Sequence, residues 1–224
     1  MRVVPNLYPA IERQEVVVHT PRHVTSIAEL DPAEVGAVAG AWSDRAGAAR
    51  DEGFAYVHAF VNEGREAGSS LPHSHSQLAW LREPPPAVAA ETRRADDGCA
   101  TCEWIAAELA DGTRVLREAE GLALLTAYAG RLPYEMLVAS AGHPAGSAFD
   151  SAQLPTALEL LVDAARRLRA VEGPVPLNAW LHDGDHWHLE IVPRISVLAG
   201  LELGAEIYVN TLAPEEAAER LREG

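Results

Sequence analysis

Two histidines, a glutamine and a glycine-serine loop fall within residues 62 to 77, Asn62-Glu63-Gly64-Arg65-Glu66-Ala67-Gly68-Ser69-Ser70-Leu71-Pro72-His73-Ser74-His75-Ser76-Gln77. If residues 73 to 77 are extended, side chains alternate and His73, His75 and Gln77 share one face. A neutral imidazole is a nucleophile near neutral pH and can carry a phosphoryl-type group covalently. The Gln77 amide can hydrogen-bond a phosphate oxygen but cannot exchange a proton as an imidazole does. Gly64 and Gly68, with Ser69 and Ser70, let backbone amides come close to an anion. The same residues also suit an ordinary solvated loop. Their conjunction points to a phosphate-handling site.

A second group is Cys99 and Cys102, spaced C-x-x-C, with His143 and His186. Thiolates and imidazoles in a four-ligand set suit tetrahedral Zn2+. The cysteine pair alone also fits two buried thiols or a redox pair. An internal repeat selects the histidines. Strand, His23, helix, strand and His73-Ser74-His75 in the first half match strand, His143, helix, strand and His186-Trp187-His188 in the second. By the same repeat, His23 and His73 are the corresponding ligands of a first-half site. His188 is either a substrate-side group or a hydrogen-bonded sheet histidine. Arg194 either binds phosphate or forms an ion pair at the sheet edge. His19, His58 and His182 belong to no constellation and read as structural.

The elements that must position these residues follow from periodicity and breakers. Val16 to Thr20 and Phe54 to Val61 read as strands. Asp31-Pro32 caps a helix running to about Arg50. The strand carrying His75 ends near Trp80, and Arg82 to Pro86 begins a linker. Ala87 to about Asp97 reads as a short helix, and Gly98 to Cys102 as a knuckle-like turn. Thr113 to Glu118, Leu122 to Tyr128, Pro133 to Val138, Pro176 to Leu181 and His186 to Pro193 are further candidate strands. Ser151 to Val171 carries Leu154, Leu158, Leu161, Ala165 and Leu168 at helical spacing. Pro214 to Arg222 closes the chain as a helix.

At 224 residues the chain can bury a sizeable core. Its net charge of −15, with no lysine, argues against nucleic acid, which is bound through clustered cations. An anionic substrate must therefore be held by local donors: amides, imidazoles, a metal or Arg194. No apolar run reaches membrane-spanning length and no basic-then-apolar leader is visible, so a cytoplasmic protein without membrane contact is expected.

Asn62-Glu63-Gly64, Ala67-Gly68-Ser69-Ser70 and His73-Ser74-His75-Ser76-Gln77 resemble the active-site segment of the galactose-1-phosphate uridylyltransferase family, a branch of the histidine-triad superfamily. The His-Ser-His-Ser-Gln spelling is especially similar to the branch containing ADP-glucose phosphorylases; many members carry proline where Ser74 stands. The resemblance implies an α+β fold of two fused histidine-triad-like units, each an antiparallel sheet with a crossing helix. The expected division is 1–82 for the first unit, 83–97 for a linker and 98–224 for a second unit with the zinc site.

The resemblance further implies His75 as the nucleophile of a nucleotidyl-histidine and Gln77 as a ligand of the transferred group. Asn62, Gly68, Ser69 and Ser70 would be substrate supports. Gly200-Leu201-Glu202-Leu203-Gly204 resembles the family's hexose-contacting loop, with Glu202 matching a sugar-hydroxyl ligand. The implied reaction moves UMP or AMP between a nucleotide sugar and hexose-1-phosphate, and a homodimer is the family expectation. Met1 to Ala10 resembles an element that in relatives lies well inside the protein, after a cysteine pair. The first unit is therefore expected to be truncated, with only a partial metal site at His23 and His73. The rival readings are a histidine-triad nucleotide hydrolase or phosphorylase, and a truncated, non-catalytic zinc-binding relative.

Overall fold

The computed structural model describes residues 1–94 and 99–224. Its centre is one nine-stranded sheet in the order β1-β2-β4-β3-β8-β9-β7-β6-β5, with antiparallel neighbours throughout. The strands are β1 (Arg2–Pro5), β2 (Arg13–Val18), β3 (Tyr56–Glu63), β4 (His75–Leu81), β5 (Val115–Ala119), β6 (Leu122–Thr126), β7 (Met136–Ser140), β8 (Leu177–His182) and β9 (His188–Pro193). The fold is mixed α+β, as expected. The order β2-β4-β3 on one side of the β3/β8 seam is mirrored by β7-β9-β8 on the other. This is the arrangement that the repeat in the sequence describes.

Two long helices cover one face. α1 (Pro32–Asp51) begins at a capping box in which Asp31 accepts from the Glu34 amide and Glu34 reaches back to the Asp31 amide. It buries Val35, Val38, Ala39, Trp42, Ala46 and Ala49, while the Trp42 indole donates to Ser76 Oγ at 2.9 Å. α4 (Leu154–Glu172) buries Leu154, Leu158, Leu161, Ala165 and Leu168, the stripe read from the sequence. Each fully buried leucine there contributes about 1.5–3 kcal/mol. α6 (Pro214–Glu223) buries Ala217, Ala218 and Leu221 and packs on α4. Ser76, Leu78 and Trp80 of β4 face these helices. His75 and Gln77, one residue out of phase, must face the other way.

On the opposite face α3 (Ala100–Asp111) covers the β6/β7 end. It lays Ile105 against Ala123, Leu125, Leu137 and Ala139. β6 thus buries both faces, Leu122 and Leu124 toward the long helices and Ala123 and Leu125 toward α3. Two expected segments take a different form. Cys99 is the N-cap of α3 and Cys102 lies in its first turn, not in an irregular knuckle. Residues 200 to 204 belong to a short helix, α5 (Gly200–Ala205), not a loop. At the other end of the chain Arg2–Pro5 is an edge strand, and Pro5 ends it where a missing amide does no harm.

Within the expected linker lies α2 (Pro86–Arg94). The end of that helix at Asp97 and the start of the turn at Gly98 lie outside the described residues. No helix among the described residues is long and apolar enough to cross a membrane.

Candidate functional site

β4 is pinned between β2 and β3, with Val18 opposite His75 and both Val16 and Phe60 opposite Gln77. Continuing that register by two residues sets Asn62 of β3 across from His75. On its far side Asn62 pairs with Asn178 of β8. His75, Gln77 and Asn62 therefore share the open face of the sheet.

Each of these side chains has a fixed hydrogen-bond polarity. His75 Nδ1 lies 2.8 Å from the carbonyl of His73. A carbonyl only accepts, so Nδ1 carries the proton and the Nε2 lone pair is free. Gln77 Oε1 accepts from Gln14 Nε2 at 2.7 Å, leaving the Gln77 NH2 group to face the site. Asn62 Oδ1 accepts from Asn178 Nδ2 at 2.8 Å, leaving its own NH2 group available. The product is a nucleophilic nitrogen flanked by two amide donors, the complement of a phosphoryl group with anionic oxygens.

The loop from β3 to β4 passes over this end. Gly64 has φ +84°, and a Cβ there would lie 2.7 Å from Pro176 Cβ, so glycine is required twice over. Gly68 is left-handed at φ +86°, and a Cβ on it would stand 3.8 Å from Asn62 Nδ2. That open approach is where an anion would meet the Asn62 amide and the loop. Ser69 Oγ donates to the Leu71 carbonyl at 3.0 Å, and Ser70 is exposed at the loop's tip.

Behind His75, Ser74 is held through three atoms. Its amide donates to the Val24 carbonyl, its carbonyl accepts from the His19 amide, and its Oγ lies 2.8 Å from His19 Nδ1. His19 is fully buried, and burial, with the nearby His75 and His73, lowers its pKa to about 3. It is a neutral strut for the β4 entry.

The four zinc candidates converge. Cys99 Sγ and Cys102 Sγ lie 3.2 and 3.4 Å from His186 Nδ1, and Cys102 Sγ lies 3.7 Å from His143 Nδ1. One ligand atom from each of the four falls within 4.8 Å of the others, close enough for a small inward shift to form a tetrahedral set. His186 Nε2 donates to the Ser140 carbonyl at 3.1 Å, which leaves Nδ1 as the ligating lone pair. Burial, with Cys99 alongside, pushes the Cys102 thiol up to about 11, so it needs a cation to ionise. The donor set fits a metal ion. By contrast, His23 and His73 meet edge-on, ring centres 6.2 Å apart, and form no group of three metal-ligating side chains among the described residues.

A second polar group was not legible in the sequence. His182 and His188 are register partners on β8 and β9, and with Glu190 and Glu91 of α2 they form another cluster of ligating atoms. Glu91 Oε1 lies 3.0 Å and Glu190 Oε1 3.5 Å from His182 Nδ1. Burial opposes the charged form of His188, yet Glu190 and the His186 carbonyl outweigh it and raise its pKa. Burial likewise opposes ionised Glu190, but His188, His182 and Arg131 hold it at about 2. His182 thus leaves the structural class, and only knowledge of the β8/β9 register could have paired it. Glu202 caps its own helix by accepting from the Ala199 amide at 2.9 Å.

The fold and the His75 strand are similar to those of galactose-1-phosphate uridylyltransferase-like proteins. The family model for the galactose-1-phosphate uridyl transferase N-terminal domain matches residues 10–84. The model for a domain of unknown function, DUF4921, matches residues 48–223, and the chain belongs to that family. Similar curated proteins include the ADP-glucose phosphorylase of Arabidopsis thaliana, 26% identical over all of this chain and 74% of that protein. The galactose-1-phosphate uridylyltransferase of Thermotoga maritima is 27% identical over 93% of this chain and 73% of its own length. Among solved structures, the Arabidopsis ADP-glucose phosphorylase with bound ADP-glucose superposes with a TM-score of 0.85 at 25% identity, covering 100% of this chain and 82% of that one.

Proposed function

We propose that the chain is a nucleotidyltransferase that moves a nucleoside monophosphate between a nucleotide sugar and a sugar phosphate through His75. Relatives named uridylyltransferase and ADP-glucose phosphorylase support a nucleotidyl-transferring enzyme. The observation that carries the reading is the His75 tautomer: Nδ1–H is spent on the His73 carbonyl, so Nε2 is a lone pair beside two donors.

His75 Nε2 attacks the α-phosphorus and forms an N–P bond. The P–O bond to the sugar phosphate breaks, and the leaving group departs as a phosphate monoester that needs no proton. A second phosphate monoester then attacks the same phosphorus and restores the free imidazole. Gln77 and Asn62 stabilise the phosphoryl oxygens, with Gly68, Ser69 and Ser70 at the loop. Hydrolysis is disfavoured because Gln77, whose amide is a fixed donor, cannot take a proton from water.

Zn2+ at Cys99, Cys102, His143 and His186 would be structural, tying α3 to the ends of β7 and β9. Glu202, a sugar ligand in this reading, sits on α5, a six-residue helix with no buried residue. So short a helix does not hold itself. Val197 and Leu203 beside it are 91% and 71% exposed, and a second copy of the chain would cover them. Sedimentation at micromolar concentration should give a dimer, and a monomer there would remove that part.

The reaction is tested by isotope exchange. Labelled hexose-1-phosphate should enter unlabelled ADP-glucose or UDP-glucose with no other substrate present, because the nucleotidyl-enzyme is common to both directions. Absence of exchange with both nucleotide sugars, at a protein concentration that binds them, would overturn it.

A further inference from the structure

The two amides flanking His75 do not choose their own orientation. Arg194 Nη1 donates to Asn178 Oδ1 at 3.1 Å, and a guanidinium can only donate. Asn178 Nδ2 must then be the donor toward its other neighbours, the Ala67 carbonyl at 2.8 Å and Asn62 Oδ1 at 2.8 Å. The Ala67 carbonyl can only accept, which fixes the same orientation from the other end. Asn62 is left with its NH2 group toward Gly68. On the opposite flank the Ala10 amide donates to Gln14 Oε1 at 2.9 Å. Gln14 Nε2 must donate to Gln77 Oε1, and Gln77 is likewise left with its NH2 group toward the site.

We infer that Gln14, Asn178 and Arg194 are positioning residues: two directed hydrogen-bond chains, one from each side of His75, lock Gln77 and Asn62 as donors to an anionic phosphoryl group. The inference rests on the nucleotidyl-transfer reading and names residues which that reading does not assign. In an empty site an unrestrained amide presents its carbonyl as readily as its NH2 group, and would have to turn when an anion enters. The chains remove that choice before a ligand arrives, which is preorganisation of the donor set. The Arg194 chain crosses the β3/β8 seam, so the second half of the molecule sets a contact of the first-half site. Its bond to the Ala67 carbonyl also ties the glycine loop to the same chain.

Near-isosteric substitutions reverse the chains. In Gln14→Glu the carboxylate still accepts from Ala10 but cannot donate to Gln77, which must turn its NH2 group away from the site. Asn178→Asp does the same to Asn62. Arg194→Gln keeps an amide donor for Asn178, whereas Arg194→Leu removes it. ADP and UDP binding by calorimetry, and nucleotidyl-adduct formation with ADP-glucose and UDP-glucose, should be measured on each folded variant.

Gln14→Glu and Asn178→Asp should each weaken binding and slow adduct formation by about 10- to 100-fold, the effect of turning one donor away from a phosphate. Arg194→Gln should stay close to the parent, and Arg194→Leu should fall between. The added carboxylates could also repel the nucleotide at a distance, but that repulsion is screened at about 1 M salt. The losses relative to parent should persist there. Losses that vanish at high salt, or parent-like behaviour of both carboxylate variants, overturn the chains while leaving the nucleotidyl-transfer reading intact. Nucleotide binding that responds as expected in a parent forming no adduct keeps the chains and sinks that reading. A parent that binds neither ADP nor UDP sinks both.

Discussion

His19 shows how much one residue's surroundings decide. Its imidazole is enclosed, its Nδ1 meets Ser74 Oγ, and its Nε2 has no partner among the described residues. A folded-state pKa of about 3 lies below the unfolded value of about 6.5. The unfolded chain therefore binds the proton first, and stability is full above about pH 6.5 and falls as pH drops toward 3. At pH 5 the loss from this residue alone is about 2 kcal/mol. His19→Phe should flatten that acid limb, read by urea unfolding at pH 7.5 and pH 5. Equal pH dependence in both proteins would show that His19 titrates as if unfolded. Position 77 makes a complementary case. Gln77→His offers an imidazole that can assist water, so hydrolysis should rise relative to transfer. A proportional fall in both would make Gln77 a positioning group only.

In the proposed reading the loop between β3 and β4 is the element on which binding turns. Gly64 and Gly68 are both at positive φ, but only Gly64 meets an obstacle, Pro176. Gly64→Ala should destabilise the protein by about 1–3 kcal/mol from backbone strain, with contact strain in addition. Gly68→Ala carries the left-handed cost of about 1–2 kcal/mol and no clash, and its added methyl faces Asn62. It should weaken nucleotide binding more than it lowers the melting temperature. The reverse ranking in thermal melts would contradict the loop geometry. The strands and the two long helices were legible because alternation and the leucine stripe of α4 follow directly from which face is buried. α3 was not, because a C-x-x-C pair reads as a metal turn while Cys99 in fact caps a helix. The Glu91–His182–His188–Glu190 cluster was hidden for another reason: it depends on register between β8 and β9 and on where α2 lands.

For the whole molecule, the two halves meet in one sheet, and residues from both reach the same face. His75, Gln77 and Asn62 come from the first half, Asn178 and Arg194 from the second. The candidate site was legible as residue types because His75 and Gln77 alternate with Ser76 on β4, although His73 falls in a bend before the strand begins. Its completion was not, since nothing in the sequence pairs Asn62 with Asn178. The cysteine-histidine group belongs to this scale too, because its ligands span Cys99 to His186 and clip separate elements. Metal analysis should find about one zinc per chain, and Cys99→Ser should lose it together with thermal stability. A metal-free protein of unchanged stability would contradict the site. With a net charge of −15, a nucleotide bound as proposed would be held by this local donor set and not by a general basic field.

The central claim is that His75 is the atom donor of a covalent intermediate, and intact-protein mass after mixing with ADP-glucose or UDP-glucose, quenched without acid, tests it most directly. The account predicts an added nucleoside monophosphate on the parent and on His73→Ala, whose residue 73 carbonyl is retained, and none on His75→Ala. An adduct that survives in His75→Ala, or a parent that forms none with either sugar, would contradict it.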